Sequence, residues 1–162
     1  MARLILLDSG PLGLIVRAAS KPQVVRCLTW LKAISATGAT VIIPEIAHYE
    51  LRRELLRIRA VGSLRRLEHY LDPSSGLRHL TLTTDAIIKA AEFWAYLRQS
   101  GIPTASPDAL DADAILAGQA ALAGQPGDTV TIATTNLAHL NRFPGIDAQT
   151  WSRNGDAARI DN

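Results

Sequence analysis

At 162 residues the chain suits one domain, long enough to bury a core without disulfide staples, and its 48% hydrophobic and 20% charged residues are those of a soluble globular protein. The single Cys27 excludes an internal disulfide and a cysteine-based zinc cluster, and the apolar runs are too short to span a bilayer. The net charge of +2 decides nothing about partners, but of the 17 basic residues only Lys21, Lys32 and Lys89 are lysines. Arginine grips phosphate bidentately; a GC-rich genome produces the same bias.

Arg3 to Leu7 is a short apolar run closed by Asp8-Ser9-Gly10-Pro11, the profile of a buried parallel strand stopping at a turn. It has neither the length nor the cleavage pattern of a signal peptide, so the expectation is a cytosolic, cytoplasmic protein. Pro22 opens an amphipathic helix through Val24, Leu28 and Leu31 that ends near Gly38. Val41-Ile42-Ile43-Pro44 reads as a second strand. The pattern then turns helical from Ile46 to Ile58 and resumes after Gly62 up to Leu71, with a loop at Asp72-Pro73-Ser74-Ser75-Gly76. Leu77 to Leu82 reads as a third strand, and Thr84 or Asp85 caps a helix that stops at Gly101 and Pro103. A Pro-containing loop leads to a helix from about Leu110 to Leu122, rich in alanine. Thr129 to Thr134 is a fourth strand, Asp147 to Trp151 a short last one, and 152–162 a polar, flexible tail. Residues 1–151 thus form one α/β domain in which helices sandwich a parallel sheet of four to five strands.

In such sheets the functional crevice lies beyond the carboxyl ends of the strands, which singles out the polar residues that follow strands. Asp8 follows the first, Glu50 lies near the start of the helix after the second, and Asn136 follows the fourth. Asp113 falls in the first turn of the alanine-rich helix, with Asp111 two positions earlier. Carboxylates with no His or Cys among them suit hard cations such as Mg²⁺ or Mn²⁺. Each position also has a structural reading: Asp8 shapes a turn, Asp111 and Asp113 complement a helix dipole, Glu50 pairs with Arg53, and Asn136 caps a short helix.

The set and its order resemble the PIN-domain family. Leu6-Leu7-Asp8-Ser9-Gly10-Pro11-Leu12 is similar to its opening motif, and Pro44-Glu45-Ile46 followed by Glu50-Leu51 to its second, with Glu50 preferred over Glu45. Leu110-Asp111-Ala112-Asp113-Ala114-Ile115 resembles the third motif, with Asp113 in the catalytic place. Val130-Thr131-Ile132-Ala133-Thr134-Thr135-Asn136, then His139, Phe143 and Trp151, resembles the fourth. Many PIN nucleases carry a further Asp there, where this chain has Asn136 and His139. That departure leaves one well-held cation and puts a second in doubt, with Asp111 as a possible compensation.

The resemblance implies a three-layer α/β/α fold and metal-dependent hydrolysis of RNA phosphodiesters. Asp8 and Asp113 would ligate Mg²⁺ or Mn²⁺, Glu50 would orient the metal's water, and Thr134 and Asn136 would fix the attacking water or the scissile phosphate. Arg52, Arg53 and Arg57 are candidates for guiding the RNA backbone, although a solvated helix with internal Arg–Glu pairs accounts for them equally. Trp30, Trp94 and Tyr96 are expected as core or interface anchors. Domains of this size resemble VapC-type toxins, which implies a homodimer and a small antitoxin partner, with the helical hairpin from Ile46 to Leu71 as the place for contact. The alternative is a catalytically weakened PIN-like RNA-binding or scaffolding domain. A haloacid-dehalogenase-type phosphotransferase would need an acid where Gly10 stands, and no Walker-type loop or dinucleotide fingerprint is present.

Overall fold

A computed structural model describes residues 1–101 and 107–151, with the side chains of 107–109 set aside. The tail expected over 152–162 and the loop around Pro103 lie outside the described residues. Five strands, β1 (Arg3–Leu7), β2 (Thr40–Pro44), β3 (Arg78–Leu80), β4 (Thr129–Thr134) and β5 (Asp147–Thr150), form one sheet in the order β3-β2-β1-β4-β5. Every pairing is parallel. Seven helices accompany them among the described residues: α1 (Ser9–Ile15), α2 (Pro22–Ala36), α3 (Glu45–Arg57), α4 (Val61–Leu71), α5 (Thr84–Gln99), α6 (Pro107–Ala121) and α7 (Leu137–Leu140).

The apolar runs of β1 and β2 are continuous because both faces of the sheet are covered. Ile5, Leu7, Val41 and Ile43 point into a core shared with Leu12, Val24, Leu31 and Leu51 of α1, α2 and α3. Leu4, Leu6 and Ile42 point the other way, into a core with Phe93, Leu97, Leu116 and Phe143. The result is three layers, helix, sheet and helix. Helices α5 and α6 approach so closely at Gly118 that a Cβ there would lie 2.4 Å from the Ala86 carbonyl oxygen, inside any allowed contact.

Four expectations are corrected. The turn after β1 is the start of α1, with Asp8 as its N-cap; Pro11 fits in the first turn because its missing N–H would have no intrahelical partner there. Helix α6 begins at Pro107 rather than Leu110, so Asp111 and Asp113 lie in its second turn and are not capping residues. The cap of α5 is Thr83, whose hydroxyl accepts from the Ala86 amide at 3.2 Å. Strand β3 is also shorter than the run from Leu77 to Leu82 suggested.

Candidate active site

From β1 the chain moves outward in one direction through β2 and β3, then returns to lay β4 and β5 on the other side. The crevice between the carboxyl ends of β1 and β4 is therefore the topological switch point, and Asp8 and Thr134 meet across it. The Asp8 amide donates to the Ala133 carbonyl at 3.0 Å, continuing the β1–β4 ladder by one rung. Its carboxylate accepts from the Ser9 amide at 2.7 Å and from the Thr134 hydroxyl at 2.7 Å. Asp8 is thus both a helix cap and a carboxylate held at a fixed angle. Thr134 is fully buried and also accepts from the Asn136 amide at 2.9 Å. Its hydroxyl hydrogen is committed to Asp8, so it aims that carboxylate.

Helices α3 and α6 bring Glu50 and Asp113 to the same mouth. Burial first, then the negative charges of Asp8 and Asp113, leave Glu50 pushed up to about 7. The Arg53 charge and a hydrogen bond with the Ser9 side chain offset part of this. Burial and then Asp8 likewise push Asp113 up to about 6, against the pull of His139 and Arg142. Glu50 and Asp113, whose ionisation is opposed by burial and by the charge of Asp8, make this mouth an electrostatic sink for a cation.

Ser9, His139 and Arg142 were not among the predicted site residues. Ser9 bridges the acids, its amide and hydroxyl reaching Asp8 while its side chain serves Glu50. His139 Nδ1 lies 3.4 Å from Asp113 Oδ2 and 2.8 Å from Asn136 Nδ2, so Asn136 faces His139 while its backbone anchors Thr134. The His139 signal was present in the sequence, in the fourth motif, but nothing along the chain says which way that ring turns.

The remaining predicted residues are elsewhere. Asp111 is two positions from Asp113, about 200° around the helix; it is exposed and lines a groove with Ile87 and Trp94 of α5. It therefore does not join the acids at the mouth. Glu45 accepts from the Leu82 amide, a tie between α3 and the end of β3 that occupies its carboxylate. Arg52 hydrogen-bonds His48 at 2.7 Å and pairs with Glu68 of α4. Arg57 pairs with Glu54 at 2.6 Å. Arg53 stacks over the Tyr49 ring at 5.3 Å from its centroid, on the Glu50 side of α3. Trp30 packs against Trp151, whereas Trp94 and Tyr96 are exposed.

The donor set fits a hard cation, being all oxygen at Asp8, Glu50 and Asp113. Among the described residues no three His, Cys, Asp or Glu side chains converge into a ready-made metal cage.

No family model matches the sequence, and no curated protein does. Solved structures do match in fold. One is VapBC2 from Rickettsia felis bound to a DNA fragment from their promoter, with TM-score 0.68 and 17% identity over 91% of this chain and 98% of that one. DNA-bound VapBC from Salmonella typhimurium gives TM-score 0.63 and 24% identity over 93% and 99%. FitAcB from Neisseria gonorrhoeae gives 0.66 and 17% over 93% and 99%. Identity this low speaks for the fold alone, and that fold, spanning nearly the whole of both chains, makes this protein a PIN-like three-layer α/β/α domain.

Proposed function

We propose that this protein is a metal-dependent endoribonuclease whose site is the mouth formed by Asp8, Glu50 and Asp113. The observation that carries the reading is the mutual electrostatic penalty among these acids at the switch point, which a dication relieves. Asp8 and Asp113 would hold Mg²⁺ or Mn²⁺, with Glu50 acting through a water. Bound there, the cation would supply Lewis-acid activation of a water and charge neutralisation for in-line phosphodiester hydrolysis. Ser9 and Thr134 fix the Asp8 carboxylate, and Glu50 orients water on the α3 side. Arg53, beside Glu50, is the arginine best placed to meet an RNA phosphate.

We read the chain further as the toxin of a toxin–antitoxin pair, because the solved structures sharing its fold are VapBC and FitAB assemblies. The α3–α4 hairpin exposes Tyr49, Leu56, Ile58 and Val61, an apolar surface suited to a small antitoxin. A homodimer through α5 is supported by exposed Ile87, Ile88 and Trp94 beside the α5–α6 groove. No helix among the described residues is long and apolar enough to cross a membrane.

The test is RNA cleavage by purified protein with Mg²⁺ or Mn²⁺. Asp8→Asn and Asp113→Asn should each lower the rate at least about 100-fold, and chelation should do the same. Asp8→Asn is preferred to Asp8→Ala because Asn retains the helix cap, whose loss costs about 1 kcal/mol. Cleavage that survives chelation and both substitutions would leave the RNA-binding or scaffolding reading in its place.

A further inference from the structure

The mouth draws on helices from distant parts of the chain: α3 carries Glu50 and α6 carries Asp113. One buried side chain of α6 ties the two together. Gln119 is 2% exposed; its Oε1 accepts from the Ile46 amide at 3.2 Å, and its Nε2 donates to the Leu80 carbonyl at 2.9 Å. The side-chain amide can sit only this way round, because a backbone N–H only donates and a backbone carbonyl only accepts. Ile46 is the second residue of α3, where amides have no intrahelical partner, and Pro44, the residue before the helix, supplies no side-chain cap. Gln119 therefore caps α3 from 73 positions away. Leu80 ends β3, an edge strand, so the same amide joins three elements.

Glu50 lies four positions after Ile46, one turn on and on the same face. Asp113 lies six positions before Gln119, about 9 Å along α6. Ile46 shares an apolar cluster with Leu116, Ala117 and Ala120 of α6, but apolar contact is non-directional and tolerates sliding and rotation. Hydrogen bonds are directional and do not. We propose that Gln119 is a positioning residue that sets how α3 lies against α6, and with it the placement of Glu50 relative to Asp113. This rests on the reading that these two acids serve one site. Gln119 acts through α3 and not at the reacting atoms. The tie from Glu45 to the Leu82 amide holds the same corner independently, so losing Gln119 shifts α3 without detaching it.

The test compares the parent with Gln119→Met, which keeps the side-chain length and gives up both hydrogen bonds. Spin labels on Glu54→Cys of α3 and Ala121→Cys of α6, both exposed positions, report the separation of the helices by double electron–electron resonance. Cys27 stays unlabelled, being buried with its thiol pushed up to about 12 by that burial. In Gln119→Met the label distance should shift or broaden by about 1 to 2 Å. In the unlabelled protein at saturating Mn²⁺, kcat for RNA cleavage should fall about 10- to 100-fold while KM changes less than about threefold. Leu97→Ala, a cavity in the same apolar core, controls for lost stability alone and should keep kcat within about threefold of the parent. Gln119→Asn, one methylene too short to reach both partners, takes the place of Gln119→Met if that variant does not fold, with the same expectations. An unchanged label distance, an unchanged kcat, or an equal loss of kcat in Leu97→Ala would overturn the inference and leave the carboxylate site standing. A parent that cleaves no RNA would overturn the underlying reading and the inference with it.

Discussion

The two charged regions of this molecule are built on opposite plans. On the α3–α4 hairpin the charges are matched: Arg52 with Glu68, Arg57 with Glu54. At the mouth of the sheet, acids face acids, so Glu50 and Asp113 are held above the usual carboxylate range. Matched surface pairs contribute little, because solvent screens them and two long side chains must be ordered. Unmatched carboxylates, partly withdrawn from water, oppose folding and persist only where something else favours them. On the reading proposed above, the mouth is the region where charge is organised for a ligand. Most of the arginines that look in sequence like a guide for RNA are already paired within the α3–α4 hairpin.

The comparison can be broken most decisively by titrating stability without metal. Glu50 has a folded value of about 7 against 4.5 unfolded, and Asp113 about 6 against 3.8. The folded state therefore binds more protons across that interval, so stability falls as pH rises from about 4 through about 7 and then levels. Glu50→Gln removes this decline at its position. In chelator at pH 8 it should be more stable than the parent by about 1 to 2 kcal/mol, the full shift being discounted for partial exposure, and near parity at pH 4. Denaturant midpoints at the two pH values measure it. Saturating Mn²⁺ should erase most of the parent's deficit at pH 8, and a parent equally stable at both pH values in chelator would remove the contrast between the regions.

A smaller effect sharpens the hairpin side. Arg53→Ala should weaken binding of a non-cleaved RNA, with a salt slope lower by about one, while Arg57→Ala should leave both affinity and slope unchanged because Arg57 is already matched to Glu54. Fluorescence anisotropy across a salt series distinguishes them, and equal losses from both would mean the hairpin acts as a diffuse cationic surface. The least change is expected from Arg52→Ala, which breaks a partly exposed tie between α3 and α4 and should lower stability by at most about 1 kcal/mol by denaturant midpoint.

Much of this molecule was legible along the chain. Apolar runs of about five residues alternating with amphipathic segments led to the layers and the parallel sheet, since that periodicity follows directly from strand and helix geometry. The rule that chemistry gathers beyond the strand ends pointed to Asp8, Glu50, Asn136 and the Asp111–Asp113 pair, and only the resemblance to PIN-domain motifs preferred Glu50 over Glu45 and Asp113 for the catalytic place. The misreadings have equally local causes. Asp-Ser-Gly-Pro suits a turn and a helix start alike, and only the hydrogen bonds of Asp8 distinguish them. The start of α6 lies before the expected Leu110 because Pro107 is both a breaker and a favoured first helical residue; with that shift Asp113 leaves the first turn.

What the sequence by itself determined was which residues could be buried and where strands would stop, because hydrophobic period and punctuation are properties of neighbours along the chain. Tertiary structure alone decided which acid faces which. Asp8 and Thr134 are 126 positions apart and meet only because β1 and β4 pair. Asp113 rather than Asp111 enters the mouth because the helix turns about 100° per residue against a sheet whose place no local pattern encodes. The ring of His139 likewise acquires its facing partner only when α6 and α7 pack together. Electrostatics at such a site depends on distance through space, and folding is what sets that distance.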